Sequence, residues 1–249
     1  MPDAVLLQNF LRATAARGRA VVRVAPFTAY IDPVDALRFF NYAIPDDDAA
    51  PDPSAVERLR AEFARRHRLP RLEWIEESAP RVAAILDLAG MTEELRAPLM
   101  ACAQGDVVDA ATAVAHVTVK AAGPQDAREL VHVQRAAFGQ DPLPDDHEVT
   151  DPAARGGGAV VARIGREVVA TAAWTKVLDG VTEIVGVATA EAWRRRGLAG
   201  AVTAAATRAA FAAGATTCIL SPGSKQAQRV YARAGFSRVA TMLHWKDPA

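Results

Sequence analysis

Three consecutive arginines, Arg194, Arg195 and Arg196, are followed by Gly197, Leu198, Ala199 and Gly200. They stand between a short β-branched run and an alanine-rich segment. The run Ile184 to Thr189 reads as a buried strand, because it is apolar and interrupted only by Gly186. The segment after Ala199 has strong helix propensity. Strand, basic turn and helix start together predict an anion site. The first amides of a helix lack intrahelical partners, and the helix dipole adds partial positive charge there. Gly197 lets several N–H groups converge, and its missing Cβ permits close approach of a phosphate. The arginines add charge-assisted hydrogen bonds. The expected chemistry is the holding of a diphosphate. A nucleotide triphosphatase loop needs Gly-Lys-Ser/Thr, and a dinucleotide loop needs Gly-x-Gly-x-x-Gly with a later acid; the sequence has neither.

The spacing Arg194-x-x-Gly197-x-Ala199 resembles the pyrophosphate-binding signature of the GNAT acetyltransferase superfamily. A second stretch, Ser224-x-x-Ala227-x-x-x-Tyr231-x-x-x-Gly235-Phe236, resembles that family's last helix, with Ser224 where Asn is usual. Residues at i, i+3 and i+7 share a helix face, so Ser224, Ala227 and Tyr231 line one groove. The resemblance implies acetyl-CoA as cosubstrate, with no metal. It implies contacts from the Arg194–Gly200 turn, from Ser224, and from the backbone of Val187, Ala188 and Thr189, which orients the thioester and offers an N–H to its oxygen.

Acetyl transfer to an alkyl amine also requires that the ammonium, with a pKa of about 10, lose its proton. Glu183 lies eleven residues before Arg194, a spacing that resembles the base glutamate of the histone-acetyltransferase branch. Flanked by Thr182, Ile184 and Val185, its carboxylate is expected to be partly desolvated and raised in pKa. Tyr231, by the same resemblance, is the acid that returns a proton to the departing thiolate. The implied reaction is direct attack by a primary amine in a ternary complex. The alternative is a catalytically silent acyl-CoA-binding sensor or interaction module, which keeps the turn and needs neither Glu183 nor Tyr231. A shared scaffold does not name the acceptor.

The elements needed to position these residues are legible over most of the 249 residues. From His116 the order is strand Val117–Ala121, helix Pro124–Phe138, hairpin strands Ala159–Ile164 and Glu167–Val177, and the strand leading to the arginines. A long helix, strand Thr216–Ser221, helix Ser224–Ala234 and strand Phe236–Trp245 follow. This resembles the full GNAT topology. Before it come helix Ala4–Arg17, strands within Ala20–Ile31, a helix capped by Ser54 with Glu57 completing a capping box, strand Arg71–Ile75, helix Ser78–Ala89 and strand Leu95–Cys102. Pro98 confines that last strand to an edge. Arg60-Ala61-Glu62-Phe63-Ala64 echoes Arg208-Ala209-Ala210-Phe211-Ala212, and Ala89-Gly90-Met91 echoes Ala234-Gly235-Phe236. The expected fold is α/β with mixed sheets: a degenerate GNAT-like unit over 1–115, then a catalytic unit over 116–249. In the first copy Asp46, Asp47, Asp48 and Asp52 stand where phosphate would sit, and like charge repels it.

Formal charges balance at 29 against 29, which argues against nucleic acid or an acidic membrane as partner. Cys102 and Cys218, the only cysteines, lie in apolar runs and read as buried thiols of a reducing cytoplasm. No signal peptide or membrane span is recognised. The five histidines (67, 116, 132, 147, 244) show no metal-ligand spacing. Asp141, Asp145, Asp146, Glu148 and Asp151 make Gly139–Arg155 acidic, which predicts a cationic small-molecule amine as acceptor.

Overall fold

The computed structural model describes residues 3–110, 112–143, 149 and 152–248. Asp145, Asp146, His147, Glu148 and Asp151 lie outside the described residues. The chain forms two compact units, Met1–Leu99 with Val239–Ala249, and Met100–Arg238.

The first unit runs α1 (Ala4–Ala15), β1 (Ala20–Val24), β2 (Phe27–Ile31), β3 (Tyr42–Pro45), α2 (Pro53–Arg65), β4 (Arg71–Ile75), α3 (Val82–Leu88) and β5 (Thr92–Ala103). Its sheet order is β1-β2-β3-β4, then the last strand of the chain, then β5. β5 also pairs with the later strand Thr217–Leu220, so it has neighbours on both sides and the edge position expected from Pro98 is not observed. Phe27, Ile44, Leu59, Phe63, Leu72 and Trp74 are fully buried in one apolar cluster.

Two local expectations differ. The cap of α2 is Asp52, not Ser54: Pro53 takes the first helical position, and the Asp52 carboxylate accepts from Ala55 N at 2.8 Å. The helix expected from Ser78 begins only at Val82. Ser78 instead ends a 3-10 turn, Glu76–Ser78, with its hydroxyl donating toward Gln8 Oε1 and the Ile75 carbonyl, and the position before α3 is Arg81.

The second unit continues with β6 (Val117–Ala121), α4 (Ala127–Ala137), β7 (Gly158–Ile164), β8 (Glu167–Trp174), β9 (Val181–Thr189), α5 (Leu198–Ala212), β10 (Thr217–Leu220) and α6 (Lys225–Arg233); β11 (Ser237–Lys246), the last strand, counts with the first unit from Val239 on. Its sheet order is β5-β10-β9-β8-β7-β6. Alternation along β7 sends Val160 and Ala162 to the α5 face, where they meet Leu198, Val202 and Ala206. Ala159 and Val161 pack on the opposite face with Leu130 of α4.

β9 departs from regular pairing where the site begins. Against β8, Ala173 faces Val185 but Thr171 faces Ala188, so Gly186 and Val187 of β9 stand against Ala172 alone. The bulge is built on Gly186, whose φ of 60° is left-handed. Its carbonyl accepts from Gln134 Nε2 at 3.0 Å and from Thr171 Oγ1 at 3.1 Å. On the other side, the parallel ladder to β10 ends at Ile219↔Glu183. Among the described residues, no strand pairs with β9 on its β10 side beyond Glu183.

The order α1-β1-β2-β3-α2-β4-α3-β5 recurs as α4-β7-β8-β9-α5-β10-α6-β11. The short echo falls at equivalent places. Gly90 and Gly235 both have positive φ and both end a helix, with Met91 N reaching Leu86 O at 2.9 Å and Phe236 N reaching Tyr231 O at 3.1 Å. The compact division nevertheless differs from the expected boundary at 115/116. Residues 242–246 pair with β4, and Arg60 holds Asp247, so the C-terminal strand counts with the first unit. Residues 104–115 count with the second, where Val108 N bonds Ala234 O at 3.1 Å.

Candidate functional site

After Thr189 the chain makes a short 3-10 turn, Glu191–Trp193, and then the arginine turn. Arg195 (φ 60°) and Gly197 (φ 86°) are both left-handed, and this folds the turn back onto the start of α5. No side chain caps α5, so its first-turn amides remain open to a ligand. A cleft of about 530 Å³ opens there. Its floor is Thr189, Arg194, Arg195 and Gly197 through Gly200; its wall is Gln226, Val230 and Arg233 of α6. A second recess of about 230 Å³ shares Thr189, Arg194, Ala199, Gln226 and Val230 and extends to Val187, Ala188, Ser224 and Tyr231. The two form one groove between the start of α5 and the face of α6.

Eleven of the sequence-selected residues line this groove: Val187, Ala188, Thr189, Arg194, Arg195, Gly197, Leu198, Ala199, Gly200, Ser224 and Tyr231. Arg196 does not. Its guanidinium lies 4.8 Å from the Trp193 ring centroid, because the left-handed turn directs successive side chains apart. Ser224 Oγ is committed to capping α6, accepting from Ala227 N at 3.1 Å. The Tyr231 ring packs tilted against Phe236, and burial raises its hydroxyl above the ordinary phenol range.

Glu183 lies outside the groove lining, at the point where β9 and β10 part. Its backbone is fixed by Thr175, whose Oγ1 accepts from Glu183 N at 3.1 Å. Among the described residues its carboxyl has no hydrogen-bond or ionic partner. Desolvation alone pushes it up to about 7, although part of the side chain stays accessible to solvent.

Sequence reasoning missed Gln226, Val230 and Arg233. They form the i, i+4, i+7 stripe beside the one that was identified, so helical periodicity was their signal. It also missed Asp109 and Ala110, which lie in an irregular segment with no local signature.

The groove fits a long, partly anionic ligand. Among the described residues the buried Thr189 Oγ1 has no hydrogen-bond partner. Ala190 N bonds Val169 O at 2.9 Å, so the antiparallel alternation turns the Thr189 amide away from β8, toward the side that β10 has left. Open helix amides, Arg195 and Arg233, which have no ionic partner among the described residues, and this strand end supply anion contacts at one end and backbone contacts along the other.

The sequence pattern of the Acetyltransferase (GNAT) family matches residues 127–236. No curated protein matches the chain. Among solved structures, a GCN5-related N-acetyltransferase from Kribbella flavida is 34% identical, with a TM-score of 0.85, over 100% of this chain and 97% of that one. A GCN5-related N-acetyltransferase from Sphaerobacter thermophilus is similar in fold, at 17% identity and a TM-score of 0.66, covering 89% and 76% of the two chains. A tandem GNAT protein from the clavulanic acid biosynthesis pathway is similar at 12% identity and a TM-score of 0.61, covering 90% and 79%. With the whole chain aligned at 34% identity to the Kribbella flavida GCN5-related N-acetyltransferase, and with the family's turn opening a cleft beside the strand that feeds it, this protein belongs to the GNAT acetyltransferase family.

Proposed function

We propose that this protein is an N-acetyltransferase that moves an acetyl group from acetyl-CoA to a primary amine while both are bound. The observation that carries the reading is the unpaired Glu183 carboxyl, pushed up to about 7, on the strand whose end opens the anion cleft. Bound acetyl-CoA supplies an activated thioester carbonyl and a thiol leaving group. The chain's own residues do the rest. The first amides of α5 and the side chains of Arg194 and Arg195 bind the diphosphate. The Thr189 amide and hydroxyl orient the pantetheine arm, and the N–H groups of Val187–Thr189 polarise the carbonyl. Glu183 takes the proton from the incoming ammonium; a base poised near neutrality suits that transfer. Tyr231, kept protonated by its burial, donates to the leaving sulfur. Arg196 and Ser224 contribute to the shape of the turn and of α6 rather than to ligand contact.

The first unit is read as a GNAT-like copy without a cofactor. The equivalent helix start, on α2, is closed by the Asp52 carboxylate, and Asp46 and Asp47 are paired with Arg23 and Arg12. A phosphate there would meet carboxylates. A cationic acceptor is expected from the acidic stretch after α4, and a cytoplasmic site of action from the two free, buried cysteines. The deciding experiment offers the purified chain acetyl-CoA and a panel of cationic, neutral and anionic amines, and measures free thiol. Release with cationic amines supports the whole reading. Release with neutral amines alone removes the acceptor class, and binding of acetyl-CoA without release for any amine leaves an acyl-CoA-binding module.

A further inference from the structure

The segment between β5 and β6 makes a contact with the arginine turn that the family signature does not contain. Val108 N bonds Ala234 O at 3.1 Å, Asp109 pairs with Arg208 on α5, and Val114 packs into the apolar cluster under α5. Between these anchors, Ala113 N reaches the Arg196 carbonyl at 3.0 Å and Thr112 Oγ1 reaches it at 3.1 Å. The Thr112 oxygen also accepts from Val114 N at 3.2 Å, so its own proton is directed to Arg196 O. Two donors therefore engage one carbonyl.

That carbonyl belongs to the peptide joining Arg196 to Gly197. In a planar trans peptide the N–H points opposite to the C=O, so holding the Arg196 oxygen fixes the direction of the Gly197 amide, which lines the cleft. Gly197, on one side of this peptide, and Arg195, the residue before Arg196, are left-handed. For Arg195, which carries a side chain, that conformation is costly and relaxes unless the surroundings impose it. The same segment abuts α5 directly: a Cβ added at Gly200 would lie 2.8 Å from the Ala110 Cβ.

We propose that Thr112 is a positioning residue for the diphosphate turn: by donating to the Arg196 carbonyl it holds the Arg195–Gly197 backbone in the shape that receives CoA. Arg196 thus serves through its backbone while its guanidinium stacks on Trp193. The inference rests on the acetyl-CoA reading above.

The test compares wild type with Thr112→Val, which keeps the shape and removes the hydroxyl, Thr112→Ala, and Thr112→Ser, which restores the donor. CoA affinity is read by calorimetry, and KM and kcat for acetyl-CoA by thiol release. Loss of one such hydrogen bond predicts Kd and KM raised about fivefold in the valine and alanine variants, with kcat unchanged, and the serine variant within about twofold of wild type. A merely structural hydroxyl would instead lower the melting temperature and the active fraction, hence kcat, at constant KM. Should the valine variant fold poorly, the alanine and serine pair carries the comparison. Wild-type affinity in both the valine and alanine variants, or equal weakening in the serine variant, overturns this role alone. A wild-type chain that binds no CoA overturns the cofactor reading together with it.

Discussion

Glu183 illustrates how a single side chain can be both costly and useful. Its carboxyl rises from an ordinary 4.5 to about 7 because burial disfavours the charged form and no cation offsets it. Activity is therefore expected to fall as pH drops through about 7, since only the carboxylate accepts a proton. The stability dependence has the opposite direction. Between about 4.5 and 7 the folded chain holds a proton that the unfolded chain releases, so stability declines as pH rises through that window. Glu183→Gln should lower kcat by about 10²-fold or more with little change in the KM of acetyl-CoA. It should also gain on the order of 1–3 kcal/mol over wild type at pH 8, and little at pH 4, in paired urea titrations. A flat stability difference across pH would mean that the carboxyl is not desolvated. Tyr231 is argued at the same scale. Tyr231→Phe keeps the ring against Phe236 and removes only the donor. A turnover loss of about 10²-fold with unchanged CoA affinity is expected, and one within about twofold would make the hydroxyl a bystander.

At the level of elements, the site depends on two interruptions of regularity. The bulge at Gly186 shifts the register of β9 against β8, and the left-handed Gly197 turns the chain into α5 with its amides exposed. An alanine at Gly197 tests conformation, and a glutamate tests conformation plus charge. Gly197→Ala is expected to cost about 1–2 kcal/mol in stability, the usual penalty for a side chain at φ of this sign, and to weaken CoA modestly. Gly197→Glu should cost similar stability yet abolish measurable CoA binding, because like charge then occupies the phosphate position. Equal affinities of the two variants in calorimetry would show that the turn does not hold phosphate.

For the whole molecule, the compact units cut the chain at places that the sequence did not mark. β10 takes its antiparallel partner from β5, with Cys218 opposite Cys102, and the arginine turn takes donors from residues 112 and 113. A fragment starting at residue 116 lacks both. We expect it to aggregate or to bind CoA at least about 10²-fold more weakly than the full chain, since β10 would present an open apolar edge. A soluble 116–249 fragment with full-chain affinity, measured side by side, would contradict the division.

What the sequence by itself determined was local: the basic turn, the helix stripe carrying Ser224, Ala227 and Tyr231, the hairpin, and the glycine that ends each equivalent helix. Each is a short-range pattern in which spacing sets which side chains share a face or which residue tolerates positive φ. The Asp52 cap and the delayed start of α3 show where even local signals compete, since Pro53 takes the first helical position of α2 and Ser78 ends a separate 3-10 turn. Only the tertiary structure decided that Arg196 leaves the cleft while its carbonyl stays bonded, that Asp109 and Ala110 enter the lining, and that residues 239–249 count with the first unit. Apart from the stacking of Arg196 on nearby Trp193, those outcomes depend on hydrogen bonds and packing between residues 80 or more positions apart. No periodicity within a strand or helix encodes such contacts, and the chain acquires them only when it folds.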